Sequence, residues 1–175
     1  TMTIRNSGVI DSAGSAIFCV MEVAGSTLNI TNSGTISGAM FSIVGGFGTD
    51  IVRNTGTISG EVSLRAGNDV FDTRGGSLVG IVNGGLGNDL YITDDTHLAI
   101  FEADDEVDSV QAAAHFRLAT HVENLALLGI ADFRGIGNES ANEILGNSGD
   151  NRLIGLEGND TINGGTGIDT ADYSD

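Results

Sequence analysis

Proline, tryptophan and lysine are missing from the 175 residues, cysteine occurs once, and aromatic residues supply only 5% of the chain. Each shortage removes a class of protein. One cysteine, Cys19, rules out an internal disulfide and a thiolate metal cluster. It sits in the apolar run Ala16-Ile17-Phe18-Cys19-Val20-Met21, where a buried small hydrophobe is the expected role. No stretch approaches the ~18 consecutive apolar residues of a membrane helix, so membrane insertion is not expected. The start, Thr1-Met2-Thr3, shows no signal-peptide pattern, and the chain reads as a piece of a longer protein. Positive charge is scarce: seven arginines face 24 acidic residues, for a formal net charge of −17. That balance argues against nucleic-acid and anionic-membrane partners.

Glycine is abundant, at 27 residues, and 40% of the chain is apolar, which excludes both a disordered acidic tail and, with no proline, collagen. Tight turns between short buried strands fit this mixture. A net charge so far from zero opposes compaction unless cations neutralise it, and clustered carboxylates favour hard cations such as Ca²⁺.

The chain repeats itself. Asn32-Ser33-Gly34-Thr35-Ile36-Ser37-Gly38 returns as Asn54-Thr55-Gly56-Thr57-Ile58-Ser59-Gly60, with a weaker copy at Asn6-Ser7-Gly8-Val9-Ile10 and a drifted one at Leu78-Val79-Gly80. A period of about 20 residues is the mark of a stacked solenoid. Within each period, short alternating segments such as Val70-Phe71-Asp72-Thr73 are separated by Gly turns, as one coil of a β-helix requires. β-branched residues and the lack of proline suit strands hydrogen-bonded on both sides. The predicted fold is all-β, a parallel β-helix or β-roll solenoid with Ca²⁺ between stacked Gly-Asp loops. Three blocks are expected: 1–92, coils of about 20 residues; 93–140, irregular β coils or a spacer; 141–175, a roll with a period of nine, marked by Asn151, Asp160 and Asp169. In the middle block Val110, Ala112, Ala114, Phe116 and Leu118 are expected to face inward, and Gln111, Ala113, His115 and Arg117 outward.

Three segments fit Gly-Gly-x-Gly-x-Asp throughout: Gly45 to Asp50, Gly84 to Asp89 and Gly164 to Asp169. Partial copies fall in phase at Leu64 to Asp69, Gly146 to Asn151 and Gly155 to Asp160. Parallel strands lie ~4.8 Å apart, so equivalent turns on successive coils come about that close. Calcium takes oxygens at ~2.3 to 2.6 Å, about half that gap. A cation between two loops can therefore draw on an acid from each and on backbone carbonyls. The candidate ligands are Asp50, Asp69, Asp89, Asn151, Asp160 and Asp169, with the turn positions Gly45, Phe47, Ala66, Gly84, Leu86, Gly146, Ser148, Gly155, Gly164 and Thr166. Without the metal, two carboxylates about 5 Å apart repel by about 3 kcal/mol at an effective dielectric near 20. Asp50, Asp69 and Asp89 should line one edge, with both sites weakened where Leu64 and Arg65 replace glycines. Asn151 should pair with Asp169 across an 18-residue coil, and Asp160 should face a coil only partly present.

The segment Gly84-Gly85-Leu86-Gly87-Asn88-Asp89-Leu90-Tyr91-Ile92 resembles the calcium-binding nonapeptide of RTX, or hemolysin-type, proteins. Val107-Asp108-Ser109-Val110-Gln111, Val122-Glu123-Asn124-Leu125 and Gly137-Asn138 through Gly146-Asn147 resemble the segment that follows such loops, extending the likeness over about 84–175. The earlier Asn-Ser-Gly-Thr-Ile copies resemble, less specifically, β-helical adhesin repeats. The resemblance implies a secreted protein, extracellular or at the cell surface, that is exported by type I secretion machinery, folds on meeting calcium, and carries a C-terminal signal not evident in Asp172-Tyr173-Ser174-Asp175.

Other features read as structure. Glu102, Asp104, Asp105, Glu106 and Asp108 lack the glycine framework and are expected in a solvated loop. His97, His115 and His121 have no ligand spacing and are expected at the surface. Asn6, Asn32 and Asn54 recur at one turn and suit a hydrogen-bonded ladder better than a glycan contact. Paired acids such as Asp94-Asp95 are weak evidence for polysaccharide cleavage. The leading expectation is a noncatalytic calcium-binding module. An adhesin stalk binding a surface glycan comes second, and a fragment of a polysaccharide-processing enzyme last.

Overall fold

A computed structural model describes residues 1–19, 25–103 and 106–172. Val20 and Met21 of the apolar run, Asp104, Asp105 and residues 173–175 lie outside the described residues.

The alternation read from the sequence becomes a stack of short strands whose pairings, among the described residues, are all parallel. One nine-stranded sheet runs the length of the molecule through Met2–Asn6, Leu28–Asn32, Ile51–Asn54, Val70–Asp72, Leu90–Thr93, Ser109–Ala112, Asn124–Leu127, Glu143–Leu145 and Thr161–Asn163. A seven-stranded sheet faces the first part, and a four-stranded sheet of Phe116–Arg117, Arg134–Ile136, Arg152–Ile154 and Thr170–Asp172 faces the rest. Successive strands of one sheet are a full coil apart in sequence, so this is a parallel β-solenoid. No helix in the described residues is long and apolar enough to cross a membrane.

The core is a set of vertical ladders. Ile30, Val52, Phe71, Tyr91, Val110, Leu125 and Ile144 stack rung on rung in the long sheet. All seven are at most 1% exposed. Each such side chain contributes about 1.5–3 kcal/mol when fully buried. Opposite them stand Ile43, Val62 and Val82, all fully buried.

Residues 93–140 continue the solenoid. Leu90–Thr93 pairs with Ser109–Ala112, which pairs with Asn124–Leu127, which pairs with Glu143–Leu145. Here Val110, Ala112, Ala114, Phe116 and Leu118 are buried, while His115 and Arg117 are exposed and Gln111 and Ala113 half-buried. One coil in this stretch is short: the Asp108 amide meets the Glu123 carboxylate only 15 residues on.

Asn6, Asn32 and Asn54 form a buried ladder. The Asn6 side-chain amide donates to Asn32 Oδ1 at 2.8 Å, Asn32 donates to Asn54 Oδ1 at 2.8 Å, and Asn54 donates to Thr73 Oγ1 at 3.2 Å. These side chains are spent on one another inside the stack.

Candidate metal centre

Along one edge of the long sheet the acidic residues form a continuous column. Each aspartate sits just before its strand, so strand pairing brings Asp50, Asp69, Asp89 and Asp108 onto successive rungs. A carboxylate oxygen of each accepts the backbone amide of the rung before it: Asp50 from Leu28 at 2.6 Å, Asp69 from Asp50 at 2.7 Å, Asp89 from Asp69 at 2.8 Å and Asp108 from Asp89 at 2.8 Å. The column continues with Glu123, which accepts the Asp108 amide at 3.0 Å, and with Asp160, which accepts the Asn142 amide at 2.9 Å. Asp160 therefore stands against a rung already present, that of Asn142. Asn151 and Asp169 pair on the shorter sheet's edge, the Asn151 amide donating to Asp169 Oδ1 at 2.9 Å. The nine-residue repeat thus alternates between two edges.

With one oxygen committed to the neighbouring coil, the second decides what else the site can hold. In the first loop Asp50 Oδ2 accepts the Gly46 amide at 2.7 Å. Asp69 and Asp89 are 1% and 2% exposed, and among the described residues their Oδ2 atoms have no hydrogen-bond partner. A buried carboxylate oxygen left so is costly unless a proton, water or cation meets it. Burial is the first cause that raises both acids, Asp69 to about 7 and Asp89 to about 8. Repulsion from neighbouring carboxylates adds to it: Asp50 and Glu102 act on Asp69, and Asp69, Glu102 and Asp108 act on Asp89. Asp50 is also raised by burial, against which the Gly46 and Leu28 amides pull.

The first glycine of each loop has a specific task. A Cβ on Gly45, Gly84, Gly155 or Gly164 would lie 2.2, 1.9, 2.0 or 2.3 Å from Oδ2 of the loop's own aspartate, which folds back across it. On Gly146 the Cβ would lie 2.4 Å from Asn151 Oδ1. The sequence suggested that these glycines free the backbone to aim carbonyls; in the structure they also clear the space that the carboxylate occupies. At the second position of some of these loops the chain turns left-handed: Gly85 has φ 99°, and Arg65 is held at 76°. The Arg65 guanidinium lies over the Phe18 and Phe47 rings, 5.2 and 5.8 Å from their centroids.

The turn positions are stacked as well. Ala66 bridges Leu86 in parallel, and the Leu86 carbonyl accepts the Gly67 amide at 2.8 Å, leaving one lone pair for another partner. The side chains of Phe47 and Leu86 are exposed, so only the backbone of these residues can serve a metal. Ser148 and Thr166 lie on exposed turns of the other edge, where the Thr166 amide donates to Asn147 O at 3.2 Å.

Two acids that the sequence placed in a solvated loop are inside. Glu102 is 4% exposed and Asp108 fully buried, and together with Asp89 each brings a carboxylate oxygen within 4.8 Å of the others. The missing glycine framework obscured them, although Asp108 keeps the spacing of 50, 69 and 89. Glu106 is exposed. Of the histidines, His97 and His115 are exposed and His121 half-buried, and none joins a metal-ligating group among the described residues.

Carboxylate and amide oxygens, backbone carbonyls, cleared glycine cradles and unpartnered buried Oδ2 atoms suit a hard divalent cation. Fold and site together define a calcium-binding parallel β-solenoid. Residues 136–171 match the family described as RTX calcium-binding nonapeptide repeat (4 copies), and that match supports Ca²⁺ as the ion these loops take. No curated protein and no solved structure matches the chain.

Proposed function

We propose that the chain is a noncatalytic calcium strut of a larger secreted bacterial protein, loosely ordered before export and made rigid by calcium outside the cell. The observation that carries this reading is the column of buried acids, in which Asp69 and Asp89 each keep an oxygen with no hydrogen-bond partner among the described residues. A stack that gathers such charge is poorly stable alone and gains from each ion that binds the folded form only. At a free concentration about ten times Kd, each independent site adds ~1.4 kcal/mol. Extracellular-type calcium sites work at ~10⁻⁴ to 10⁻³ M, which suits a switch between the inside and outside of a cell. Export through type I secretion machinery and an extracellular or cell-surface location are parts of the same proposal, supported by the RTX repeats.

Calcium titration by calorimetry, with circular dichroism in calcium and in chelator, tests it. Saturable binding together with a loss of β signal or of melting temperature in chelator is expected. Absence of binding, with identical spectra and melts in both conditions, refutes it.

A further inference from the structure

Glu102 and Asp108 belong to no Gly-Asp loop and lie outside the matched residues 136–171. Register explains how they reach the interior. Val82 pairs with Val62 on one side and Ile100 on the other, and Asn83 pairs with Ser63 and Phe101. One residue further on, Leu64, Gly84 and Glu102 therefore occupy successive rungs. Leu64 fills the core at its level and is fully buried. Gly84 has no side chain, and oxygens converge on the place that a Cβ would take. A Cβ built on Gly84 would lie 1.9 Å from Asp89 Oδ2, 2.3 Å from the Tyr91 hydroxyl and 2.5 Å from Glu102 Oε1.

Glu102 is held there. The Tyr91 hydroxyl donates to Glu102 Oε1, and the Gly85 amide donates to Glu102 Oε2 at 3.3 Å. Asp108 arrives from the next rung, its Oδ1 accepting the Asp89 amide. One carboxylate oxygen from each of Asp89, Glu102 and Asp108 lies within 4.8 Å of the other two. An independent observation points to a ligand: Asp89 is 2% exposed, and its Oδ2, aimed over Gly84, has no hydrogen-bond partner among the described residues.

We propose that these oxygens form an internal calcium site that shares Asp89 with the Gly84–Asp89 loop and adds Glu102 and Asp108, which belong to no Gly-Asp loop, as ligands, with Tyr91 as the residue that positions Glu102. Three acids from two successive coils meet at one point, Asp89 from one and Glu102 and Asp108 from the next, and their all-oxygen donor set selects a hard divalent ion over zinc or copper. The ion would tie those coils together where Leu64 closes the same position one coil earlier. The proposal rests on the calcium-binding reading above and extends it to residues of the middle block.

Tyr91 offers a local reporter, because the chain has two tyrosines and no tryptophan. In a Tyr173→Phe background, terbium(III), an oxygen-seeking substitute for calcium, is titrated while its emission is excited through Tyr91. Saturable sensitised emission that calcium displaces is expected. Glu102→Gln should weaken that binding at least about tenfold, as loss of metal-site contacts does. The double variant Asp160→Asn/Asp169→Asn should leave it unchanged. If circular dichroism shows Glu102→Gln unfolded, Asp108→Asn, which keeps an acceptor for the Asp89 amide, carries the same comparison. Sensitised emission absent while calorimetry still records calcium binding overturns the internal site and leaves the proposed function standing. Emission unchanged in the folded Glu102→Gln or Asp108→Asn chain also overturns it. No calcium binding at all overturns both.

Discussion

Replacing Gly84 by alanine perturbs the acidic column through space alone, since Gly84 is not in the left-handed region and its backbone accepts a side chain. The new methyl group would start 1.9 Å from Asp89 Oδ2, whereas real Cβ contacts stay beyond 3.0 Å, so the carboxylate must retreat by about 1 Å. Calcium holds its oxygens within a window of ~2.3 to 2.6 Å, and an oxygen displaced that far leaves its reach. Two effects follow. Overpacking costs about 1–3 kcal/mol with or without the ion. Loss of one site removes a further ~1.4 kcal/mol at calcium about ten times Kd. Thermal unfolding in chelator and in calcium separates them, at ~2–4 °C per kcal/mol for a chain of this length. Gly84→Ala should melt lower than the parent in chelator, and the gap should widen in calcium. Gly8→Ala is the control, because a Cβ there meets nothing within 4 Å. A Gly84→Ala chain that melts with the parent in both conditions, or a Gly8→Ala chain that falls as far, would refute the reasoning.

Acidity should govern the metal-free protein in an unusual direction. Asp69 and Asp89, raised from 3.8 to about 7 and about 8, keep protons in the folded chain that the unfolded chain has already released. Stability in chelator should therefore fall as pH rises across that window and level off above it, while apparent calcium affinity climbs over the same range. Chelator melts that rise steadily from pH 5 to 8 would contradict this. Asn32→Ala, by contrast, removes hydrogen bonds to Asn6 and Asn54 in which no acid takes part. Its cost, about 1–3 kcal/mol in urea melts, should be the same with and without calcium. A loss that calcium abolishes would show that the asparagine ladder and the metal edge are coupled.

The parts of this molecule visible in the sequence were those written as periodicity. Asp50, Asp69 and Asp89 share an edge because strand pairing repeats at their spacing, and Asn151 meets Asp169 for the same reason. The inward set from Val110 to Leu118 follows from alternation alone. Glu102 escaped because its place depends on the neighbour it lacks: Gly84 carries no side chain, and the Glu102 carboxylate from the next coil reaches the space beside it. That fact belongs to two coils at once, and no single segment encodes it. The signal was available in Ile100-Phe101-Glu102, which repeats the register of Val82-Asn83-Gly84. The long sheet passes through the expected boundaries at 92 and 140.

The hydrogen bonds of the acidic column all run one way, from a coil's amide to the carboxylate of the coil that follows. The solenoid is therefore directional in its dependence on neighbours: Asp69 secures the Asp50 amide but is itself completed only by Asp89. Shortening such a stack from its C-terminal side strips an acceptor from the last coil that remains, whereas shortening it from the N-terminal side removes only a donor. Engineering that trims or splices these coils should meet different penalties at the two ends.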